Sequence, residues 1–359
     1  MENNTPATNN FLNWVEIKNF KSIKDLRLDC KRVNVFIGKP NVGKSNILEG
    51  LGLLGASYND DKYLSGAIRY NDIRDLFRDN STDKSVAVLT NKINSFLSRI
   101  VFEENIPEDR YDLRREIGDY AYRKFTLDKK GKVTTLSAGV FNDRKERDTF
   151  ETYRTSPVRK YDFVQLENFD SSFNQYLIPP HGYNLYAVIE QKADLWQEFA
   201  KLFEEQGLDF VLSDHDYNFF LQRRDKGRVK QYPFSSIADT FRRFMFYITA
   251  IESNKNSVII FEEPEVHSFP PYTQDIAYRM IYSEENQFFV STHSPYLLQT
   301  LVSNLGDDQL NVFVTYYEDY ETKVKMLTPE EIGFVQEYST DVFFNLDRFV
   351  PNAQSANPA

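Results

Sequence analysis

The stretch "FIGKPNVGKSN", residues 36–46, constrains this chain more than any other. Before it, Val33, Val35 and Ile37 alternate as a buried strand does. After it, Ile47, Leu48, Leu51 and Leu54 recur at helical spacing. A glycine-rich loop between a strand and a helix start is the setting that a phosphate loop requires. Gly38 and Gly43 allow the backbone to wrap an anion closely, with amide N–H groups pointing inward. The helix starting near Lys44 aims its positive end at the same anion. Lys44 would reach the outer phosphates, and the Ser45 hydroxyl would bind Mg²⁺. Gly38, Lys39, Pro40, Asn41, Val42, Gly43, Lys44, Ser45 and Asn46 are therefore the expected nucleotide cradle.

Two later segments supply the chemistry such a cradle needs. In "SVIIFEEPEVH", four apolar residues from Val258 to Phe261 place Glu262 and Glu263 at the tip of a buried strand. In a parallel sheet, ligands sit off those strand ends. Glu262 is expected to hold the magnesium through its water, and Glu263 to orient and deprotonate the attacking water. In "FFVSTHSPYLL", His293 follows another short apolar strand. A neutral imidazole there would accept from the lytic water or sense the third phosphate. Glu263, His293 and Lys44 are thus the candidate catalytic residues, and Ser45 and Glu262 the candidate metal ligands.

The loop alone would also suit a small GTPase. That reading needs Asn-Lys-x-Asp to specify guanine, and "TNKIN" lacks the aspartate. The only Asp-x-x-Gly match put forward for its switch, "DKKG" at Asp128, looks like a hairpin turn. A GTPase also leaves Glu262, Glu263 and His293 unexplained.

The chain has 359 residues, of which 41% are hydrophobic and 15% aromatic, so a globular fold with a sizeable core is expected. Cys30 is the single cysteine, which excludes an intrachain disulfide and a cysteine zinc site and fits a reducing cytosol. No apolar run is long enough to span a membrane, and "MENNTPATNN" lacks the order of a secretion signal. A cytoplasmic protein without membrane contact is expected, with loose tails at 1–10 and 351–359. "RKFTLDKKGKVTTLSA" and "FFLQRRDKGRVKQYPF" read as hairpins turning at Lys130-Gly131 and Lys226-Gly227. "KADLWQEFAKLFEEQG" reads as an amphipathic helix stopped at Gly207. "SSIADTFRRFMFYITAIES" and "PYLLQTLVSNL" read as helices alternating with the strands "SVIIF" and "QFFVSTH", the order of a mostly parallel sheet. No fixed-period repeat and no sustained heptad are present.

The net charge of −10 argues against general coating of nucleic acid, but it is unevenly spread. Residues 110–160 hold 14 Lys or Arg against 8 Asp or Glu. That segment is either a solvated face or a contact for DNA, RNA or an acidic partner.

Taken together, "IKNFKSIKDLRL", "FIGKPNVGKSNILEGL", "LIPPHGYNLYAVI", "FEEPEVHSFPP" and "STHSPYLL" resemble the ABC-type ATPase superfamily. Within it they resemble the soluble heads related to RecF, SMC and OLD-family nucleases, and the bacterial AAA15/AAA21-type ATPases common in phage-defence operons. The resemblance implies an α/β P-loop NTPase fold: an ABC-type head with a mostly parallel sheet, helices on both faces and an α+β insertion. The head would comprise 11–80 and 235–350, with 81–234 as an inserted lobe. ATP and Mg²⁺ are the implied cofactors.

The resemblance further implies that heads close in pairs around ATP, as a homodimer or larger assembly. A serine-rich signature segment would then cap the partner's γ-phosphate. Ser235, Ser236 and Thr240 are the candidates; the other reading of that segment is a plain helix cap. It lacks the glycines of the LSGGQ form, and Asp239 adds a negative charge. Glu262 stands where family members carry Asp, which implies slow turnover or a protein that chiefly holds ATP. Lys21 would meet either a phosphate or solvent, His267 matches a family histidine of uncertain role, and no residue is assigned to a Gln loop. OLD nucleases carry a Toprim domain after the head, whereas "LNVFVTYYEDYETKVKMLTPEEIG" reads here as closing strands. The implied function is a sensor or scaffold ATPase governing a separate effector, a nuclease or toxin, in antiviral defence. The alternatives are a RecF-like DNA-maintenance ATPase and a nucleotide-gated assembly subunit with negligible hydrolysis.

Overall fold

The computed structural model describes residues 9–55, 60–100, 109–117, 121–140, 156–170, 173–337 and 342–350. The tail positions 1–8 and 351–359, and Arg144, Lys145 and Arg147 of the basic segment 110–160, lie outside these residues. Asn10, assigned by sequence to the tail, exchanges two 2.8 Å hydrogen bonds with Asn256.

The chain opens with β1 (Trp14–Phe20) and β2 (Ile23–Asp29), an antiparallel pair with Val15 opposite Leu28 and Ile17 opposite Leu26. The alternation of apolar and polar residues is what puts these four on one buried face. Next come β3 (Val33–Ile37), α1 (Lys44–Gly52) and α2 (Asp60–Ala67). Five antiparallel strands follow: β4 (Val86–Thr90), β5 (Ile93–Arg99), β6 (Tyr111–Ile117), β7 (Ala121–Leu127) and β8 (Val133–Val140). They join the first pair in a seven-stranded sheet of order β2-β1-β4-β5-β6-β7-β8. The β7–β8 turn is closed by Gly131 N–H donating to the Asp128 carbonyl at 2.9 Å, so the "DKKG" segment is a hairpin turn.

β9 (Val158–Tyr161) returns to a second sheet. After α3 (Leu185–Gln191) and α4 (Ala193–Glu204) come β10 (Asp209–Ser213), β11 (Asn218–Asp225) and β12 (Arg228–Pro233), a three-stranded sheet of their own. Lys226 and Gly227 make the β11–β12 turn with positive φ at both positions, the conformation a two-residue hairpin loop demands. The last third runs α5 (Asp239–Ser253), β13 (Val258–Glu262), α6 (Pro270–Tyr282), β14 (Gln287–Ser291), α7 (Pro295–Asn304), β15 (Leu310–Glu318), β16 (Glu321–Met326) and α8 (Pro329–Glu337).

The second sheet has the order β16-β15-β3-β14-β13-β9, parallel except for β16. Its central strands β3, β13 and β14 are mostly apolar because both faces are covered. Val33, Val35, Ile37, Ile259, Phe261 and Val290 join a core with α5, α6 and α7. Phe36, Val258, Ile260 and Phe289 face the opposite way, into a core with α1 and the seven-stranded sheet. The residues 81–234 are thus shared among all three sheets. One expected boundary moves: α5 begins at Asp239, not Ser235, because Phe234 and Ile237 turn inward to the core and 234–236 form a short 3₁₀ turn.

Candidate active site

The phosphate loop, Glu262 and Glu263, and His293 all leave the sheet at the same edge. β3, β13 and β14 are parallel and adjacent through β14, so the turns after Ile37, Glu262 and Ser291 meet. A cleft of about 670 Å³ lies between them, lined by Pro40, Asn41, Gly43, Lys44, Ser45, Asn46, Glu262, Glu263 and His293, with Lys21 and Arg69 completing its wall.

Lys44 starts α1 and is almost wholly buried. Its ammonium donates to the carbonyls of Gly38 at 2.9 Å and Lys39 at 3.0 Å. Burial pushes its pKa down, opposed by the carboxylates of Glu263, Glu262 and Glu265. Gly43 has φ 101°, and a Cβ there would collide with the Thr322 side chain. That position therefore needs glycine on both counts. Thr322 Oγ1 in turn donates to the Val42 carbonyl at 3.0 Å, so β16 buttresses the loop from behind. Gly38, Lys39 and Val42 build the loop without lining the cleft, and the Lys39 ammonium turns away to Asp347. Asn46 donates to Ser22 Oγ at 2.6 Å, tying the helix to the β1–β2 turn.

Glu262 ends β13 with its carboxylate held between Arg69 at 3.0 Å and Lys160 at 3.6 Å. The Ser45 hydroxyl lines the same cleft. Burial alone would raise this carboxyl's pKa, but Lys160, the Ser45 hydroxyl and Arg69 together bring it below the ordinary value. Glu262 is therefore ionised, as a hard-cation ligand must be. Glu263 follows in the left-handed region at φ 46°, its N–H donating to the Ser291 carbonyl at 3.0 Å. This turn brings its carboxylate within 3.3 Å of His293 Nε2. Burial and the Lys44 charge lower the His293 pKa, opposed by Glu263, so the imidazole is neutral at neutral pH.

Four participants, Glu265, Glu49, Arg69 and Lys160, were not singled out from the sequence. Glu265 is half-buried beside the site; its Oε1 accepts from Thr292 Oγ1 and the His293 N–H, both at 2.7 Å, and from the Ser294 N–H at 3.2 Å. It fixes the turn that presents His293. Burial first of all raises its pKa. Glu49, wholly buried on α1, pairs with Lys21 and with Arg69 Nε at 2.6 Å. Lys21 is therefore committed to Glu49 and to the Arg69 carbonyl, which it reaches at 2.7 Å. Lys160 comes from β9, where it sits opposite Ile260 in the sheet register. Glu49 and Glu265 lie within the quoted segments "FIGKPNVGKSNILEGL" and "FEEPEVHSFPP", whereas Arg69 and Lys160 lie in neither.

Ser235, Ser236 and Thr240 are not brought to this cleft. Ser235 and Ser236 are exposed, and Thr240 Oγ1 donates to the His267 carbonyl at 2.7 Å. Ala238 occupies the N-cap of α5 without a side-chain bond, so the segment is not a side-chain helix cap. Asp239 is paired with Arg243 at 2.7 Å, Arg242 at 3.7 Å and the exposed His267 at 3.1 Å. Burial would raise its pKa, but these partners bring it below the usual value.

The basic residues of 110–160 are largely spoken for where they are described. Arg114 pairs with Glu116 at 2.8 Å and Lys124 with Asp112 at 2.6 Å. Arg115, Arg159 and Lys160 are buried. Among the described residues, no helix is long and apolar enough to cross a membrane.

Comparison with solved structures shows the same fold. An Smc head bound to the C-winged helix domain of ScpA superposes with a TM-score of 0.51 at 14% identity, covering 90% of this chain and 99% of that one. An Smc head with an extended coiled coil, bound to the C-terminal domain of ScpA and derived from Pyrococcus furiosus, gives 0.50 at 14% identity, covering 91% and 98%. The architecture is that of an ABC-type P-loop ATPase head. A Helicobacter pylori protein named ATP/GTP phosphatase is 22% identical over 285 residues, 70% of this chain and 75% of that protein. A family model matches residues 33–299, from β3 with its phosphate loop into the helix after His293, and the chain belongs to that family, described as "AAA domain, putative AbiEii toxin, Type IV TA system".

Proposed function

We propose that the protein binds ATP with Mg²⁺ and hydrolyses it, that two copies close around the nucleotide, and that this closure governs a separate effector, a nuclease or toxin, in antiviral defence. One arrangement carries the hydrolytic reading: the Glu263 carboxylate 3.3 Å from His293 Nε2 in a cleft shared with Lys44, Ser45 and Glu262. The donor set suits the metal, because the Ser45 hydroxyl and the Glu262 carboxylate are hard oxygens lining the same cleft. Magnesium held there would neutralise charge on the phosphate oxygens.

The residues of the chain would do the rest. Lys44 would exchange the carbonyls of Gly38 and Lys39 for phosphate oxygens, and the backbone amides of 38–45 would donate to the same anion. Glu263 would accept a proton from the attacking water. His293, neutral and fixed through Glu265, would orient that water or contact the third phosphate. Ser235, Ser236 and Thr240 would act on the nucleotide of the partner copy; the uncapped start of α5 supports this, since its leading amides carry no side-chain acceptor. Residues 11–80 and 235–350 would serve as the head, with 81–234 carrying the lobe that meets a partner. The toxin wording of the family description, the name of the Helicobacter pylori relative and the ScpA-bound state of the Smc heads favour an ATPase coupled to another protein.

The test is turnover of Mg²⁺-ATP by the native chain and by Glu263→Gln. A general base contributes roughly 10²–10⁴-fold, so the variant should lose about that much while still binding ATP. Unchanged turnover removes Glu263 as the base. Purification with native neighbours, followed by mass measurement with and without ATP, tests the effector.

A further inference from the structure

The β11–β12 hairpin is a charged feature that the ATPase reading leaves unused. It carries Arg223, Arg224, Lys226, Arg228 and Lys230 with one acid, Asp225, in a chain of net charge −10. Pairing of β10 with β11 stops at Asp209 opposite Gln222, whereas β11 and β12 continue together to Asp225 opposite Arg228. Residues 223–230 therefore form a two-stranded ribbon standing beyond the three-stranded sheet, and both its strands are exposed there.

Within this ribbon Arg223 lies directly opposite Lys230. Like charges in that relation destabilise a hairpin unless an anion covers them. Among the described residues, none of the five cations has a side-chain hydrogen bond or an ion pair. Charges on exposed edge strands also keep sheets from pairing edge to edge, but either sign serves that purpose. A chain with 53 acids and 43 bases that gathers five cations on one ribbon is suited instead to a polyanion.

The shape narrows the choice of polyanion. The major groove of B-form DNA, ~12 Å wide, admits a two-stranded β-ribbon. The corresponding groove of A-form RNA is too deep and narrow. Single strands are gripped by stacking on aromatic rings, and none lies between Phe220 and Tyr232. We propose that the β11–β12 ribbon is a contact for duplex DNA, with its tip in the major groove and its arginines and lysines on the flanking phosphates.

The experiment measures fluorescence anisotropy of a labelled duplex of ~20 base pairs, about two helical turns, with the full chain and no nucleotide. Its result is thereby separable from the hydrolytic assignment. Native protein should bind with an affinity that falls steeply with salt, by a log–log slope of about −0.9 for each phosphate contacted. The variant R223Q/R224Q/K226Q/R228Q/K230Q should lose at least ~10-fold in affinity and flatten that slope by about two or more. Its melting temperature should not fall and its ATP binding should be unchanged, because, among the described residues, none of the five side chains makes a hydrogen bond or an ion pair and the like-charge pair Arg223–Lys230 is removed. K129Q/K132Q, on the β7–β8 turn, should leave DNA affinity in place. The proposal is overturned by absence of salt-dependent binding in the native chain, by full affinity in the five-site variant, or by an equal loss in K129Q/K132Q. Equal affinity for duplex RNA, or capture of an acidic protein by the ribbon without any DNA binding, overturns it as well.

Discussion

Glu263 and His293 meet because each sits one turn beyond the end of neighbouring parallel strands, and the left-handed backbone at Glu263 swings its carboxylate across the gap. Since burial and Lys44 disfavour the imidazolium, His293 takes up its proton below the ordinary value of 6.5. Turnover should therefore be insensitive to His293 from pH 8 down to about 6.5 and fall below it. In His293→Gln that acid limb should vanish from the rate–pH profile. The unfolded chain binds this proton at higher pH than the folded one, so the same group withdraws stability as pH drops through that range. Lys44→Ala should abolish ATP binding by calorimetry, because among the described residues no other cation in the cleft donates to the loop's carbonyls.

Glu49 shows how an element is fastened. It lies wholly buried on α1 and neutralises both Lys21, from the β1–β2 turn, and Arg69, which follows α2. Glu49→Gln leaves Lys21 without its counter-charge and Arg69 with Glu262 alone, and Arg69 is well exposed and partly screened. A loss of ~1–3 kcal/mol in urea unfolding is expected, less than the 3–5 typical of a fully buried pair. The hairpins at Lys130-Gly131 and Lys226-Gly227 and the helix ending before Gly207 were legible in sequence because turn glycines and amphipathic spacing act locally. The start of α5 was not. Phe234 and Ile237 are drawn into the core, and that demand outweighs the helical pattern of the serines between them.

At the scale of the molecule, Ser235, Ser236 and Thr240 do not line the cleft of the phosphate loop within one copy. Glu263→Gln in Mg²⁺-ATP should therefore double the mass seen by light scattering, and Lys44→Ala should remain at one copy. A Glu263→Gln protein that stays monomeric with ATP bound would remove the pairwise closure.

The sequence by itself determined most of the side chains that line the cleft. Glycine spacing, a lysine and serine at a helix start, and acids at an apolar strand's tip are set by neighbours along the chain. Only the tertiary structure decided what holds that chemistry in place. Arg69, Lys160, Glu49 and Glu265 reach the site from separate elements, and β9 crosses from the middle of the chain to lie beside β13. Ion pairs between distant segments leave no period in a sequence. They exist because burying a charge demands a partner wherever the fold happens to bring one.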